Sequence, residues 1–294
     1  MEGYEKSTLE IINIINNLTN EGIEGYHEKY EFWETFEANL QDVCDEKRMI
    51  LADMYTKASV ALIYGAAGTG KTKIISVISE FFSDKEKVFL ANTNTAVDNL
   101  SRRVNLNNSY CSTIAKFNNN SFISKSCDVL IIDECSTVSN EDMLKVLKTV
   151  NYKLLLLVGD THQIESIRFG NWFEFAKEFV NKSVIYELTE TFRSDNNKLL
   201  DLWAMVRTHN KKITEYIVNN KFSSEFNDSL FEERDADEII LCLGYDGLYG
   251  INQINKYLQD ANKNSKFNFG IKTYKVDDPV LFFETRRFGD VPVS

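Results

Sequence analysis

Residues 60–72 read V-A-L-I-Y-G-A-A-G-T-G-K-T, and this stretch decides the fold class. The apolar run at 60–64 predicts a buried strand, and a helix with Ile74, Ile75, Ile78 and Phe81 facing inward is predicted after it. Between them, residues 65–72 fit G-x-x-x-x-G-K-[ST], whose glycines let backbone N–H groups surround a phosphate. Because a strand and a helix flank the glycines, a chance turn is the weaker interpretation. The pattern predicts a nucleotide-binding P-loop.

Short apolar runs continue to alternate with amphipathic stretches after the loop. Strands are predicted at 88–90, 129–132 and 154–158, with helices at 95–104 and 140–150. Apolar strands separated by helices are typical of a parallel sheet covered on both faces. The predicted fold class is therefore α/β, a P-loop NTPase sheet with helices on both faces.

The chain outside this region predicts two further parts. Helices expected at 7–20 and about 28–56 form an N-terminal helical segment, interpreted as a layer that covers the following domain. A second unit is expected from residue 184, with strands at 184–186, 239–243 and 280–283 and helices at 197–208 and 252–258. The predicted division is thus 1–57, 58–183 and 184–294.

Composition excludes several classes of protein. The chain has 294 residues, a net charge of −11 and 43% hydrophobic residues, which is too apolar for a disordered chain. Its aliphatic runs are far shorter than a membrane span, and the acidic N-terminus does not resemble a signal peptide. The five cysteines are scattered and form no C-x-x-C pair, which favours reduced thiols in a cytoplasmic protein over a zinc site. The acidic charge argues against coating nucleic acid by bulk charge and leaves room for a local basic groove.

Acidic and amide side chains follow two of the predicted strands. Asp133-Glu134 closes the strand at 129–132, which suits a Mg²⁺ contact from Asp133 and polarisation of the attacking water by Glu134. Gln163, in G-D-T-H-Q after the strand at 154–158, is suited to a γ-phosphate or to that water. Alone, these residues also fit a capped strand and a polar turn, and His162 fits an exposed turn.

Two further segments carry weaker signals. Thr93 and Asn94 follow the strand at 88–90, where small polar groups at a helix N-terminus suit a phosphate backbone or simply cap the helix. Arg193, in L-T-E-T-F-R-S, suits charge stabilisation on a transferred phosphoryl group, although a lone arginine more often forms a surface ion pair.

Taken together, five segments resemble motifs I, Ia, II, III and IV of superfamily 1 helicases, in the family's order. They read G-A-A-G-T-G-K-T, T-N-T-A-V-D-N, I-I-D-E-C-S, V-G-D-T-H-Q and L-T-E-T-F-R-S, and the third and fourth are most similar to the RecD-like branch. The resemblance covers about residues 58–194 strongly and 236–290 loosely. It implies two RecA-like domains, with ATP in the cleft between them and single-stranded nucleic acid across their top.

By position, the resemblance also implies roles for individual residues. It implies that Glu134, Gln163 and Arg193 are catalytic and that Thr72 and Asp133 bind Mg²⁺. The residues implied to bind ATP are Gly65, Ala66, Ala67, Gly68, Thr69, Gly70, Lys71 and Thr72, with Phe192 stacking on the base. The residues implied to contact nucleic acid are Thr93, Asn94, Thr113, Lys116 and Arg168. Phe169 and Trp172 are further stacking candidates, although packing of the helix at 172–180 is the favoured alternative.

The sequence also departs from the family pattern. Lys47 stands where the family has a glutamine that reads adenine, which weakens the case for adenine selectivity. No segment after Arg193 resembles motif V, and Glu284 to Arg287 resembles motif VI only faintly. We therefore expect a partial second RecA-like domain, and a truncated helicase fragment that does not unwind duplexes by itself.

The leading hypothesis is an ATP-hydrolysing core of a superfamily 1 DNA or RNA helicase or translocase. It is expected to bind single-stranded nucleic acid, with DNA favoured, only weakly, and to meet a protein partner through the N-terminal helical segment. The alternative is a nucleotide-binding switch or interaction module with little turnover. A metabolic P-loop kinase is disfavoured because no acceptor site is recognisable.

Overall fold

The computed structural model describes residues 2–35, 43–120, 126–163, 170–192, 194, 196–225, 240–270 and 272–278. The chain divides into two compact units, Met1–Lys211 and Lys212–Ser294, and each is described by itself.

The first unit is built on a six-stranded parallel sheet with the strand order β3-β2-β4-β5-β1-β6. Its four inner strands are buried on both faces, which explains their continuous apolar sequences. This sheet confirms the predicted fold class. The strands are β1 (Val60–Gly65), β2 (Lys87–Ala91), β3 (Ser109–Thr113), β4 (Ser126–Ile132), β5 (Asn151–Gly159) and β6 (Ile185–Leu188).

Helices cover both faces of this sheet, because alternate strand residues point to opposite sides. On one face Leu62 and Leu157 pack with α1, α6, α7 and α8, and on the other Ile63 and Leu156 pack with α2, α3, α4 and α5. A ninth helix, α9, has no buried residue. The helices are α1 (Glu2–Asn17), α2 (Tyr26–Glu34), α3 (Asp45–Asp53), α4 (Lys71–Phe81), α5 (Asn94–Ser101), α6 (Ile114–Asn119), α7 (Asn140–Thr149), α8 (Trp172–Phe179) and α9 (Asn197–Arg207).

The N-terminal helices belong to this same unit and pack on opposite sides of the sheet. Helix α1 lies on one face with α7 and α8, whereas α2 and α3 lie on the other with α4. The chain is fastened to the start of β1 between them, because the Ser59 N–H donates to the Leu18 carbonyl at 2.9 Å. A second backbone bond runs from the Ile23 N–H to the Tyr55 carbonyl at 2.8 Å.

Two sequence predictions need correction in this unit, and one strand was missed. The single helix expected at 28–56 is interrupted, since Cys44 has extended backbone angles and α3 starts only after it. Strand β3 was not predicted, because its residues S-Y-C-S-T are mostly half-buried at a sheet edge and lack an apolar run. The boundary at 184 is also displaced, since β6 pairs with β1 and so extends the first sheet.

The second unit contains two helices and a hairpin among its described residues. Helix α10 spans Ile213–Asn219, and α11 spans Ile251–Ala261, where a helix was predicted. Strands β7 (Lys266–Phe269) and β8 (Lys272–Lys275) form an antiparallel hairpin that was not predicted. Residues 240–243 form no strand, which contradicts that part of the strand expected at 239–243. The strand expected at 280–283 lies outside the described residues.

Among the helices that the structure describes, none has the length and apolar character needed to cross a membrane.

Candidate nucleotide-binding site

Three adjacent strands, β4, β5 and β1, bring the predicted site together at their carboxyl ends. Because the strands are parallel, the segments that follow them meet at one edge of the sheet. The P-loop follows β1 and turns through two left-handed residues, Gly68 (φ 87°) and Gly70 (φ 83°), before α4 starts at Lys71. This geometry turns the loop back towards a helix N-terminus, where unpaired N–H groups and the helix dipole favour an anion.

Lys71 is held inside the loop that precedes it. Its Nζ donates to the carbonyl oxygens of Gly65 at 2.7 Å and Ala66 at 2.9 Å. Burial lowers the pKa of Lys71, and neighbouring carboxylates oppose this effect. The buried Thr69 hydroxyl also donates to Ala66, at 2.9 Å, and Thr72 lies in the first turn of α4. A lysine held among backbone groups at a helix start is placed to contact phosphate oxygens.

Asp133 and Glu134 follow β4 and lie close enough to Lys71 for each to affect its pKa. The Glu134 N–H donates to the Asp133 carboxylate at 2.8 Å. Burial is the main cause that raises the pKa of each acid, and the Asp133 charge raises that of Glu134 further. A half-buried carboxylate whose pKa is raised lacks enough positive charge nearby to balance the loss of hydration, and carboxylate and hydroxyl oxygens are ligands that Mg²⁺ prefers. Asp133 and Thr72 therefore fit the predicted metal role.

A cleft of about 750 Å³ lies beside the P-loop, and Gln163 is one of its lining residues. Gln163 is exposed, and its N–H donates to the Asp160 carbonyl at 3.2 Å. The Asp160 side chain is buried, accepts from the His162 N–H at 3.0 Å and pairs with Arg207 at 3.4 Å.

Sequence reasoning assigned no role to Asp160 or Arg207. Asp160 was visible in the motif G-D-T-H-Q. Arg207 lies at the end of α9 outside every motif, and only the tertiary structure brings it to the cleft.

The segment after β6 is tied to the P-loop. The Phe192 N–H donates to the Gly68 carbonyl at 2.8 Å, and the Phe192 side chain is 59% exposed beside the loop. Lys47 is only 2% exposed, and its Nζ lies 4.0 Å from the centre of the Phe192 ring. A Cβ on Gly70 would lie 2.7 Å from Cε of the flexible Lys47 side chain, so the left-handed φ of 83°, more than space, favours glycine here. Lys47 thus lies next to the phosphate-binding loop.

Thr189 ties the same segment to helix α3. Its N–H and hydroxyl donate to the Glu46 carboxylate at 2.9 and 2.7 Å. Burial tends to raise the pKa of Glu46, but these hydrogen bonds outweigh it and the net shift is downward.

The predicted nucleic-acid contacts follow β2 and β3. The Thr93 hydroxyl accepts from Ala96 N–H at 3.1 Å and caps α5, and the Thr113 hydroxyl accepts from Lys116 N–H at 3.3 Å and caps α6. The side chains of Asn94 and Lys116 are exposed. Capping roles are therefore present for both threonines, and the exposed residues lie at the same sheet edge as the P-loop.

Of four other candidates, one is packed in the core and three lie in the part of the chain that the structure does not describe. Trp172 is fully buried, and its Nε1 donates to the Val138 carbonyl at 3.0 Å, as the packing alternative for this helix predicted. Arg193, Arg168 and Phe169 lie outside the described residues.

Comparison with known proteins places this site in a family. The profile of the AAA domain family matches residues 45–222. The chain is 29% identical over 199 residues to the uncharacterized protein MJ1519 of Methanocaldococcus jannaschii, covering 58% of this chain and 17% of that protein. It is 27% identical over 298 residues to the RecBCD enzyme subunit RecD of Buchnera aphidicola, covering 76% of this chain and 48% of RecD.

Among solved structures, the Pif1 helicase from Bacteroides in complex with ADP-AlF3 and ssDNA matches at 15% identity with a TM-score of 0.44. That match covers 81% of this chain and 58% of the Pif1 chain. The chain thus spans about half or less of the length of the curated relatives that it matches. By its match over residues 45–222, more than half of its length, the chain belongs to the AAA domain family.

Proposed function

We propose that this chain is the ATP-binding and ATP-hydrolysing core of a superfamily 1 DNA or RNA helicase or translocase. One observation carries the proposal: Lys71, Asp133 and Glu134 lie within electrostatic reach of one another at the ends of β1 and β4. A P-loop lysine facing two carboxylates is suited to a metal-bound nucleoside triphosphate and a water.

The residues of this chain divide the work of hydrolysis as follows. Backbone N–H groups of residues 65–72 and the Lys71 ammonium hold the phosphates. Thr72 and Asp133 hold Mg²⁺, which neutralises phosphate charge when bound. Glu134 orients the attacking water and accepts its proton, while Gln163 contacts the water or the γ-phosphate.

Two residues of motif IV complete the proposed site. Phe192, already hydrogen-bonded to the P-loop, supplies an exposed ring for the base. Arg193 acts as an arginine finger that stabilises negative charge on the transferred group.

We further propose weak, salt-sensitive binding of single strands, with DNA favoured, across the ends of β2 and β3. Asn94 and Lys116 are exposed there, Thr93 and Thr113 stand at the two helix starts, and Arg168 is the fifth candidate. The net charge of −11 opposes long-range attraction, so a local patch must supply the affinity. Such electrostatic binding weakens steeply with salt.

Two finer parts of the proposal concern partners and unwinding. The N-terminal helical segment is the proposed place for a protein partner, and Leu9 on α1 is exposed there. We also propose that the 294 residues do not unwind duplexes by themselves, because they contain no segment resembling motif V.

Phosphate release from ATP, with Mg²⁺ and with or without single-stranded DNA, tests the proposal. Lys71→Ala should abolish nucleotide binding or turnover, because it removes the positive charge that meets the phosphates. Lys73→Ala, two residues further along the same helix, is the matched control and should keep both. Unchanged affinity and turnover in Lys71→Ala would overturn the P-loop assignment. Binding without turnover in the unaltered chain would instead support the switch alternative.

A further inference from the structure

Arg207 occupies an unusual place for a surface arginine. It ends α9, a helix with no buried residue, yet its side chain is one of those that line the cleft beside the P-loop. The P-loop alanines 66 and 67 and Gln163 line the same cleft. The guanidinium thus lines a cleft next to the P-loop, without being part of any helicase motif in the sequence.

Asp160 forms an ion pair with Arg207 and also affects the pKa of Lys71. Among the carboxylates that raise the pKa of Lys71, Asp160 has the largest effect, ahead of Asp133 and Glu134. Arg207 acts on the same lysine with the opposite sign. The buried Asp160 carboxylate therefore contacts one cation, Arg207, and acts at longer range on a second, Lys71.

The Arg207–Asp160 contact is loose enough to exchange. Its 3.4 Å separation exceeds the ~2.7–2.9 Å of a strong charge-assisted hydrogen bond. The Arg207 side chain is 32% exposed, against 6% for Asp160. Within the part of the chain that the structure describes, this is the one ion pair of Arg207. A guanidinium has five N–H donors, so most of them are available to a second anion.

We propose that Arg207 is a γ-phosphate sensor, which leaves the Asp160 carboxylate and binds the terminal phosphate of a nucleoside triphosphate. The planar guanidinium matches phosphate oxygens bidentately, and the triphosphate supplies a stronger anion than the single carboxylate. The diphosphate lacks the terminal group, so Arg207 stays on Asp160. This inference rests on the proposed nucleotide binding and adds a residue distinct from Arg193.

The test compares the affinities for ADP and for a non-hydrolysable ATP analogue, each with Mg²⁺. Arg207→Gln should lower the affinity for the analogue by ~10- to 100-fold, as loss of a charge-assisted hydrogen bond implies, and leave ADP binding unchanged. The affinity of Arg207→Lys for the analogue should lie between those of the unaltered chain and Arg207→Gln. Lysine keeps the positive charge but cannot form the two parallel hydrogen bonds of a guanidinium. The control is Arg103→Gln, an exposed arginine outside the cleft, which should change neither affinity.

Asp160→Asn separates a sensor from a merely structural pair. The amide keeps an oxygen for the His162 N–H but no longer competes as an anion for Arg207, so preference for the analogue over ADP should rise. If both variants lower this preference alike, the pair only holds the fold and the inference is wrong. An unchanged preference in Arg207→Gln, with normal ADP binding, also overturns it. Failure of the unaltered chain to bind either nucleotide would instead overturn the proposed function.

Discussion

Two neighbouring carboxyl groups, Asp133 and Glu134, are half-buried at the end of β4, and the Lys71 charge lowers the pKa of each against the larger effect of burial. Burial raises both pKa values, and each acid therefore keeps its proton to a higher pH than in solution. A protonated Glu134 cannot accept a proton from water. The free protein should consequently lose activity as the pH falls through the raised pKa of Glu134.

We predict that the acidic limb of kcat/KM for ATP lies above the pH of ~4.3 expected for an ordinary glutamate. Glu134→Gln should retain ATP binding, lose turnover by ~10²- to 10⁴-fold, and abolish the part of the limb due to Glu134. Steady-state kinetics across pH measure both effects. Glu141→Gln, an exposed acid in α7, is the control and should leave the profile unchanged. Normal turnover in Glu134→Gln would mean that this carboxylate only ends its strand.

The sequence allowed prediction of those site residues that belong to a recognisable local motif. Lys71, Asp133, Glu134 and Gln163 could be predicted because each follows a recognisable strand in a fixed motif. The Arg207–Asp160 pair could not, since its members are 47 positions apart and meet only after α9 has been placed. A lone arginine in a helix carries no local signal for such a partner.

At the scale of elements, the buried strands were predictable and the half-buried ones were not. Strands β1, β4 and β5 are apolar over consecutive residues because helices cover both of their faces. Strand β3 is an edge strand of polar and small residues, and the polar residues that precede it are typical of a loop. The single helix predicted at 28–56 was wrong, because Cys44 has extended backbone angles and α3 starts only after it.

Helix α8 provides the clearest test of packing by an element. Trp172 is fully buried at its start and donates to the Val138 carbonyl at 3.0 Å, whereas Phe179 at its end is 65% exposed. We predict that Trp172→Ala lowers the free energy of unfolding by ~3–5 kcal/mol, through a cavity and an unsatisfied carbonyl. Phe179→Ala should change it by less than about 0.5 kcal/mol. Urea denaturation of both variants measures the difference, and similar losses would contradict this account of α8.

At the scale of the whole molecule, the N-terminal helices belong to the first compact unit, Met1–Lys211. Amphipathic spacing predicted that they have an apolar side, but it does not tell which face of a sheet receives that side. The structure places α1 on one face and α2 and α3 on the other. Likewise β6 is four residues long, too short for its sequence to show that it pairs with β1 and extends the first sheet.

Glu134 also has a backbone conformation that glycine adopts at lower cost. Its φ of 54° is left-handed, where a Cβ costs ~1–2 kcal/mol. At ordinary helical positions alanine is more stable than glycine by roughly 0.5–1 kcal/mol. We predict the reverse order here, with Glu134→Gly more stable than Glu134→Ala by about 1 kcal/mol in urea denaturation. The same pair at Glu141, inside α7, should keep the usual order.

Neither substitution at 134 supplies a carboxylate, so the more stable of the two variants also lacks the proposed base. Stability and the proposed catalytic role therefore favour different residues at position 134. A screen for heat resistance alone would be expected to select against the side chain that we propose as the base for the attacking water.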